Sequence, residues 1–328
     1  MKLTINAAGR VHDVSGLVSS CRIYSALSEQ AGSLDAEFAA CDSVDAFDAG
    51  AVFVNGGVVR LYDDEDNGVF LGYIFAVRIA GSGNKGKKIT VRAYDSLRYF
   101  NCKDSGTYYE MTCSDIFTQI CKLAGVPYKV LNGSLYKLPP HTTSDKSRYR
   151  VIADAIEMTE NNSGKKFMIR DNFGTVEMCL TGTLDSGFFI GDSVNLLEYR
   201  YEKNIDADTY NRVKIVKKDC EFVTDNTDKQ REWGVLQYYE RGDKESNAAQ
   251  LQALAKSILK ERCKEQIKLN VRCLGDFKVF AGACVTVGID ELKDELRGQL
   301  RGEFKGVVTE CEHEISENTH FMELELLI

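Results

Sequence analysis

The sequence predicts a β-rich α+β protein in which two β-domains, each the size of a small barrel or sandwich, flank a small α+β unit. One further helix lies lateral to the second β-domain. Three observations predict this. Val69, Leu71, Tyr73, Phe75, Val77 and Ile79 recur at every second position, and Ile89, Val91 and Ala93 resume the alternation after a glycine- and lysine-rich break; this is the period of strands with one buried face. Helical spacing enters only after Phe100. Alternation returns beyond residue 183, interrupted by one amphipathic segment over about 245–264.

Residues 1–100 are expected to form the first β-domain. Leu34, Ala36 and Phe38 alternate, and residues 51–75 read as strand, Asn55-Gly56-Gly57 turn, strand, acidic turn over 63–68, strand. Asn-Gly between apolar runs is a strong hairpin signal. Residues 101–182 are expected to be the α+β unit. Thr112 to Asp115 offer helix caps, Ile116, Phe117, Ile120, Cys121 and Ala124 follow at helical spacing, and Gly125 and Pro127 end that helix. A second helix is expected over 149–159, with Ile152, Ala155, Ile156 and Thr159 on one face, and Lys166–Leu180 reads as a hairpin turning at Asp171–Gly174. Residues 183–328 are expected to be the second β-domain, with strands at 212–217, 233–239, 267–273, 283–289, 303–315 and 321–328.

Composition removes several functional classes. Of 328 residues 44% are hydrophobic and 27% charged, the balance of a globular protein, and no apolar run approaches the roughly 18 residues of a membrane span. The opening MKLTINAAGRVHD lacks the apolar core of a secretory signal, so cytoplasmic synthesis is expected. A net charge of −8 argues against specific nucleic-acid binding through phosphate contacts. The eleven cysteines are scattered without any CxxC, which favours reduced apolar fillers over a metal site or disulfide framework.

Catalytic signatures are weak. Gly81-Ser-Gly-Asn-Lys-Gly-Lys-Lys88 has the glycine and lysine spacing of a phosphate-binding loop, but Lys88 stands where Ser or Thr is needed and a strand follows where a helix should. His12, His141, His313 and His320 suggest no metal site, because the strand spacing of the last two scatters them over two faces. A cysteine–histidine nucleophile is conceivable, with no pair singled out. Asp42, Asp45 and Asp48, and then Asp63, Asp64, Glu65 and Asp66, cluster in turns, where carboxylates stay solvated rather than tuned for glycoside chemistry. The acidic turn Asp63, Asp64 and Asp66 and the basic turn Lys85, Lys87 and Lys88 are instead candidates for complementary subunit contacts. Asp95 and Arg98 mark a conformational junction, with Asp95 or Ser96 placed to cap backbone amides. Tyr62, Phe70, Tyr73, Phe75, Tyr94, Tyr99 and Phe100 supply core and potential interface anchors.

The string Ile89–Phe100, ITVRAYDSLRYF, the helix from Ser114 to Gly125 and the segment GKKFMIRDNFGTVEM over 164–178 resemble the XkdQ/YqbQ family of defective-prophage tail proteins, relatives of the baseplate hub of contractile tails. That resemblance implies two barrels of tail-tube type per chain, with three chains in a pseudo-six-fold ring between tail tube and central spike. It implies a homotrimer whose partners are the tube protein, the spike, baseplate wedge proteins and a tape measure or wall-binding companion. Neither cofactor nor catalytic residue follows from it, and the product is expected in the baseplate of a phage or phage-like particle. A carbohydrate-binding tail-tip module and a cell-wall hydrolase are the competing readings.

Overall fold

The alternating segments of the first hundred residues become β1 (Lys2–Ala7), β2 (Arg10–Asp13), β3 (Val18–Ala26), β4 (Ser33–Ala40), β5 (Val58–Tyr62), β6 (Gly68–Gly81) and β7 (Lys87–Tyr94). The computed structural model describes residues 1–27, 30–40, 49–81, 87–206, 208–217, 220–242, 247–292 and 304–327. Residues 51–54, expected as a strand, belong instead to a single helical turn, α1 (Ala49–Val52), and the loop after it. Val52 and Phe53 are buried in the first core, which a two-faced strand at this position would not achieve for neighbouring residues. The Asn55–Gly57 turn does form, with Gly56 at φ +83°, a backbone that glycine adopts without steric cost.

The middle segment contains β8 (Lys103–Tyr108), α2 (Cys113–Ala124), β9 (Tyr128–Val130), β10 (His141–Ser147), α3 (Arg148–Ser163), β11 (Phe167–Asn172) and β12 (Thr175–Leu180). Local chemistry sets α2: Thr112 and Asp115 form a reciprocal capping box, and Gly125 closes the helix at φ +67°. The apolar faces of α2 and α3 share a core with Phe167, Val176 and Met178 of the β11–β12 hairpin.

The last segment runs β13 (Leu184–Gly191), β14 (Leu196–Asn204), β15 (Arg212–Lys217), β16 (Cys220–Asp225), α4 (Thr227–Trp233), β17 (Gln237–Arg241), α5 (Ala248–Arg262), β18 (Gln266–Leu274), β19 (Ala283–Gly288), β20 (Phe304–Ser316) and β21 (Thr319–Leu327). Here the structure departs from expectation. α5 is not a lateral helix on a barrel: Leu251, Ala255 and Ile258 pack on Val213 and Ile215 of the separate sheet β16–β15–β17. This small unit grows from the tip of the β14–β18 pair, where Asn204 faces Gln266.

Among the described residues there is no closed barrel; the first and last segments share one 13-stranded sheet with the path β14-β18-β21-β20-β3-β4-β7-β6-β5-β1-β2. The length of β20 explains this. One edge pairs with β19 over Phe304–Val307 and then with β3 over Glu310–Ser316, so the strand that could close the second lobe is carried on into the first. Each lobe keeps its own core, one around Leu3, Leu34 and Ile74 and the other around Leu269, Val285 and Leu324.

Candidate functional site

The residues expected at subunit contacts separate into two places. Asp63 folds the β5–β6 turn by accepting the Glu65 and Asn67 amides at 2.9 and 2.7 Å. Asp64 meets the amino terminus, and Asp66 lies 3.6 Å from Lys2. Lys88 pairs with Glu37 at 2.7 Å; Lys87 is described by its backbone alone, and Lys85 lies outside the described residues, as do Cys41, Asp42, Asp45 and Asp48. The acidic turn precedes Gly68 and the basic turn follows Gly81, at opposite ends of the 14-residue β6, roughly 40 Å apart along the strand.

Asp95 and Arg98 lie elsewhere, where the three large cores meet. Asp95 is buried and accepts the Gly32 amide at 2.9 Å and the Leu97 amide at 3.0 Å, capping the short 3-10 helix Ser96–Asn101. Asp171 at the β11–β12 turn accepts the Ser96 amide at 3.1 Å and the Gly174 amide. Burial and the neighbouring Asp171 charge push the Asp95 carboxyl well up, and burial raises Asp171 as well. The Arg98 guanidinium lies over the rings of Phe75 and Tyr94, 5.4 and 5.6 Å from their centroids.

The β11–β12 tip is what the lobes close around. Gly68 has no Cβ to collide with the Phe173 ring, and that ring packs at a tilt against Tyr62, 5.3 Å between centroids. Arg170 pairs with Glu177 at 2.8 Å, and its guanidinium carbon stands 4.3 Å from the Phe280 centroid in the last segment. A cavity of about 170 Å³ remains at this junction, lined by Asp95, Asp171, Arg170, Phe280, Val279 and His313 among others. Asp171, Arg170 and Phe280 carried no signal of this role in the sequence, because their partners are distant along the chain.

A cysteine–histidine pair does exist. Cys311 Sγ lies 3.3 Å from His313 Nε2, and His313 Nδ1 lies 3.0 Å from His320 Nε2. The two histidines are not scattered as expected, because the β20–β21 hairpin opposes His313 to Met322 and Ile315 to His320, making the histidines diagonal neighbours. The geometry is nevertheless wrong for a nucleophile. His313 Nε2 donates to the Val279 carbonyl at 2.9 Å, so it has no lone pair to take the thiol proton. Burial raises the Cys311 thiol and lowers His313 to about 4, the reverse of a thiolate–imidazolium pair. Among the described residues no group of three His, Cys, Asp or Glu side chains could hold a metal ion.

The most extensive feature is one face of the long sheet. Across eight strands, Glu198, Arg272, Glu323, Glu312, Tyr24, Ser33, Tyr94 and Tyr73 oppose one another in unbroken register. The neighbouring row on the other face is Cys273, Met322, His313, Ile23, Leu34, Ala93 and Ile74, every one of them buried. The polar face is laced by ion pairs, Arg272–Glu323 at 3.2 Å, Arg22–Glu312 at 2.8 Å and Arg92–Asp35 at 2.7 Å. At the usual strand spacing it spans roughly 34 Å.

Comparison with known proteins adds a family. A YQBQ-like family model matches residues 23–327. The uncharacterized protein YqbQ of Bacillus subtilis is 24% identical over 250 residues, covering 73% of each chain. The phage-like element PBSX protein XkdQ of the same organism is 24% identical over 207 residues, 61% of this chain and 63% of its own. The 43 kDa tail protein of prophage MuSo2 from Shewanella oneidensis shares the fold at TM-score 0.70 and 13% identity, over 100% of this chain and 98% of that one. So does the E. coli c3393 protein, described as a type VI secretion component similar to bacteriophage T4 tail proteins gp27 and gp5, at TM-score 0.60 and 10% identity over 100% and 76%.

Proposed function

Since the chain belongs to the YQBQ-like family, we propose that it is a structural baseplate hub protein of a contractile phage tail or phage-tail-like particle. Three copies form a pseudo-six-fold ring that joins the tail tube to the central spike and anchors the baseplate wedges. The observation that carries this reading is the polar row from Glu198 to Tyr73, continuous across both lobes. From Glu198 to Tyr24 this wide, charged face is open and suits the wall of a water-filled passage; at its far end Tyr99 and Arg98 pack on Tyr73 and Tyr94. Two lobes fused through β20 and β3 would supply two ring units per chain, so that three chains present six. The PBSX relative and the tail-protein neighbours are consistent in kind with that role. The fused Cys311–His313 geometry favours a structural role over a hydrolase.

The test is copy number. Particles sedimented from the producing cell are quantified by mass spectrometry for this chain against the tube protein. About three copies per particle, far fewer than tube subunits, is the expected result. Intact particles that sediment without the chain would sink the proposal.

A further inference from the structure

Residues 275–282, between β18 and β19, form a strap that touches the first and last cores and strand β11 of the middle segment. Phe277 packs on the first core and Val279 belongs to that of the last segment. The Ala281 amide donates to Ser25 Oγ at 3.1 Å, and the Gly282 amide to the Val308 carbonyl at 2.7 Å. Phe280 lies under Arg170, and Gly282 abuts Met168 of β11. The histidine pair holds this strap. His313 Nε2 donates to the Val279 carbonyl, the Gly275 amide donates to the His320 carbonyl at 2.8 Å, and the His320 ring stacks 4.4 Å from Phe277.

We propose that His313 and His320 are an acid-sensitive latch: protonating the pair releases the strap and loosens the junction between the lobes. The hydrogen bonds set the logic. A carbonyl only accepts, so His313 carries its proton on Nε2, and its bare Nδ1 takes the His320 Nε2 proton. A proton added to His313 Nδ1 would place two N–H groups face to face at that contact. The surroundings offer little to hold the new charge. Among the described residues Asp276 on the strap is the one carboxylate acting on both histidines. Cys311 and Cys273 are neutral thiols on β20 and β18. Across the cavity Asp95 and Asp171 are held towards their acid forms, next to the Arg170 cation. Met322 is the opposing residue on β21 and Ile23 on β3, while Arg22, Tyr24, Glu312 and Glu314 alternate onto the opposite face of the sheet. Burial accordingly lowers both histidines, His313 to about 4.

Global stability would report this poorly, because Asp95 and Asp171 respond to acid with the opposite sign. Local hydrogen–deuterium exchange of the full chain, corrected for intrinsic rates, reads the strap directly, with α2 as internal reference. For one imidazole near 6.5 when released and about 4 when latched, the open population rises about thirtyfold from about pH 7.5 to about pH 5. The strap should exchange faster by that factor while α2 is unchanged. His313→Gln, which can still donate to the Val279 carbonyl, should cut the acceleration to the part that His320, also lowered by burial, supplies alone. His320→Phe keeps the stack on Phe277 but loses the hydrogen bond, and should exchange fast at both pH values. A strap unchanged in the natural protein, equal acceleration of α2, or acceleration undiminished by His313→Gln would overturn the latch. None of these outcomes depends on the hub reading.

Discussion

Arg170→Met tests whether the β11–β12 tip is a desolvated keystone. Arg170 and Glu177 oppose each other across the hairpin, with Nε and Nη2 at 3.1 and 2.8 Å from Glu177 Oε2. Their side chains are 18% and 7% exposed, so the pair is taken out of water. Removing the guanidinium leaves Glu177 with the Asn172 amide at 3.2 Å as its remaining side-chain donor on this hairpin. An uncompensated buried charge of this kind costs about 3–5 kcal/mol. Methionine preserves most of the apolar length against Phe280, so lost packing contributes little of the change. The double variant Arg170→Met, Glu177→Met removes both charges and should return to within about 1 kcal/mol of the natural protein. Urea titration followed by far-ultraviolet circular dichroism reads these two variants, the single variant Glu177→Met and the natural protein. A single variant costing under about 1 kcal/mol, the range of exposed ion pairs, would refute the reasoning. So would a double variant whose cost equals the sum of the singles.

Two further predictions concern the same junction. Gly68→Ala would place a Cβ 2.6 Å from the Phe173 ring and should cost about 1–3 kcal/mol by overpacking; Phe173→Ala in the same chain should recover most of it in the same urea assay. The pH dependence of the natural protein should carry a contribution from Asp95 and Asp171, both raised in the fold from 3.8. Raised acids stabilise most below the unfolded pKa and lose that contribution as pH rises through the folded one. The urea midpoint should therefore carry a falling component above about pH 4, and Asp171→Asn should flatten it; an unaltered slope would contradict the assignment.

What the sequence revealed was governed by local chemistry. Thr112 and Asp115 specify the start of α2 and Gly125 its end, each through contacts a few residues away, and Asp171–Gly174 make the β11–β12 turn with Phe173 and Gly174 at positive φ. The alternation of β6 and β7 was equally plain. Short apolar runs were not: residues 51–54 read as a strand, and the burial of Val52 and Phe53 together shows the helical turn instead. β15, β17 and α5 were visible as elements, but nothing in their periodicity said that they pack on one another. The histidine pair was missed for want of one fact, the hairpin turn after Ser316 that brings residues seven apart to 3.0 Å.

The seam between β20 and β3 is the hardest feature to read and the one with most consequence. Its partners, such as Glu314 and Arg22, are 292 positions apart, and neither strand signals its mate. Both strands alternate over the paired stretch, Glu310–Ser316 and Ser20–Ala26, and either could have closed its own lobe. Pairing them instead puts Cys21 and Ile23 beside Ile315 and His313 on one face, and Arg22 beside Glu314 on the other. A one-residue slip would bury Arg22 and Glu314 while exposing Ile23 and His313. The register is thus fixed by the contrast between its two faces, and with it the mutual orientation of the lobes. This is why the polar row crosses from one lobe to the other without a break, and why a strap gripping His313 at that seam is placed to sense any movement between them.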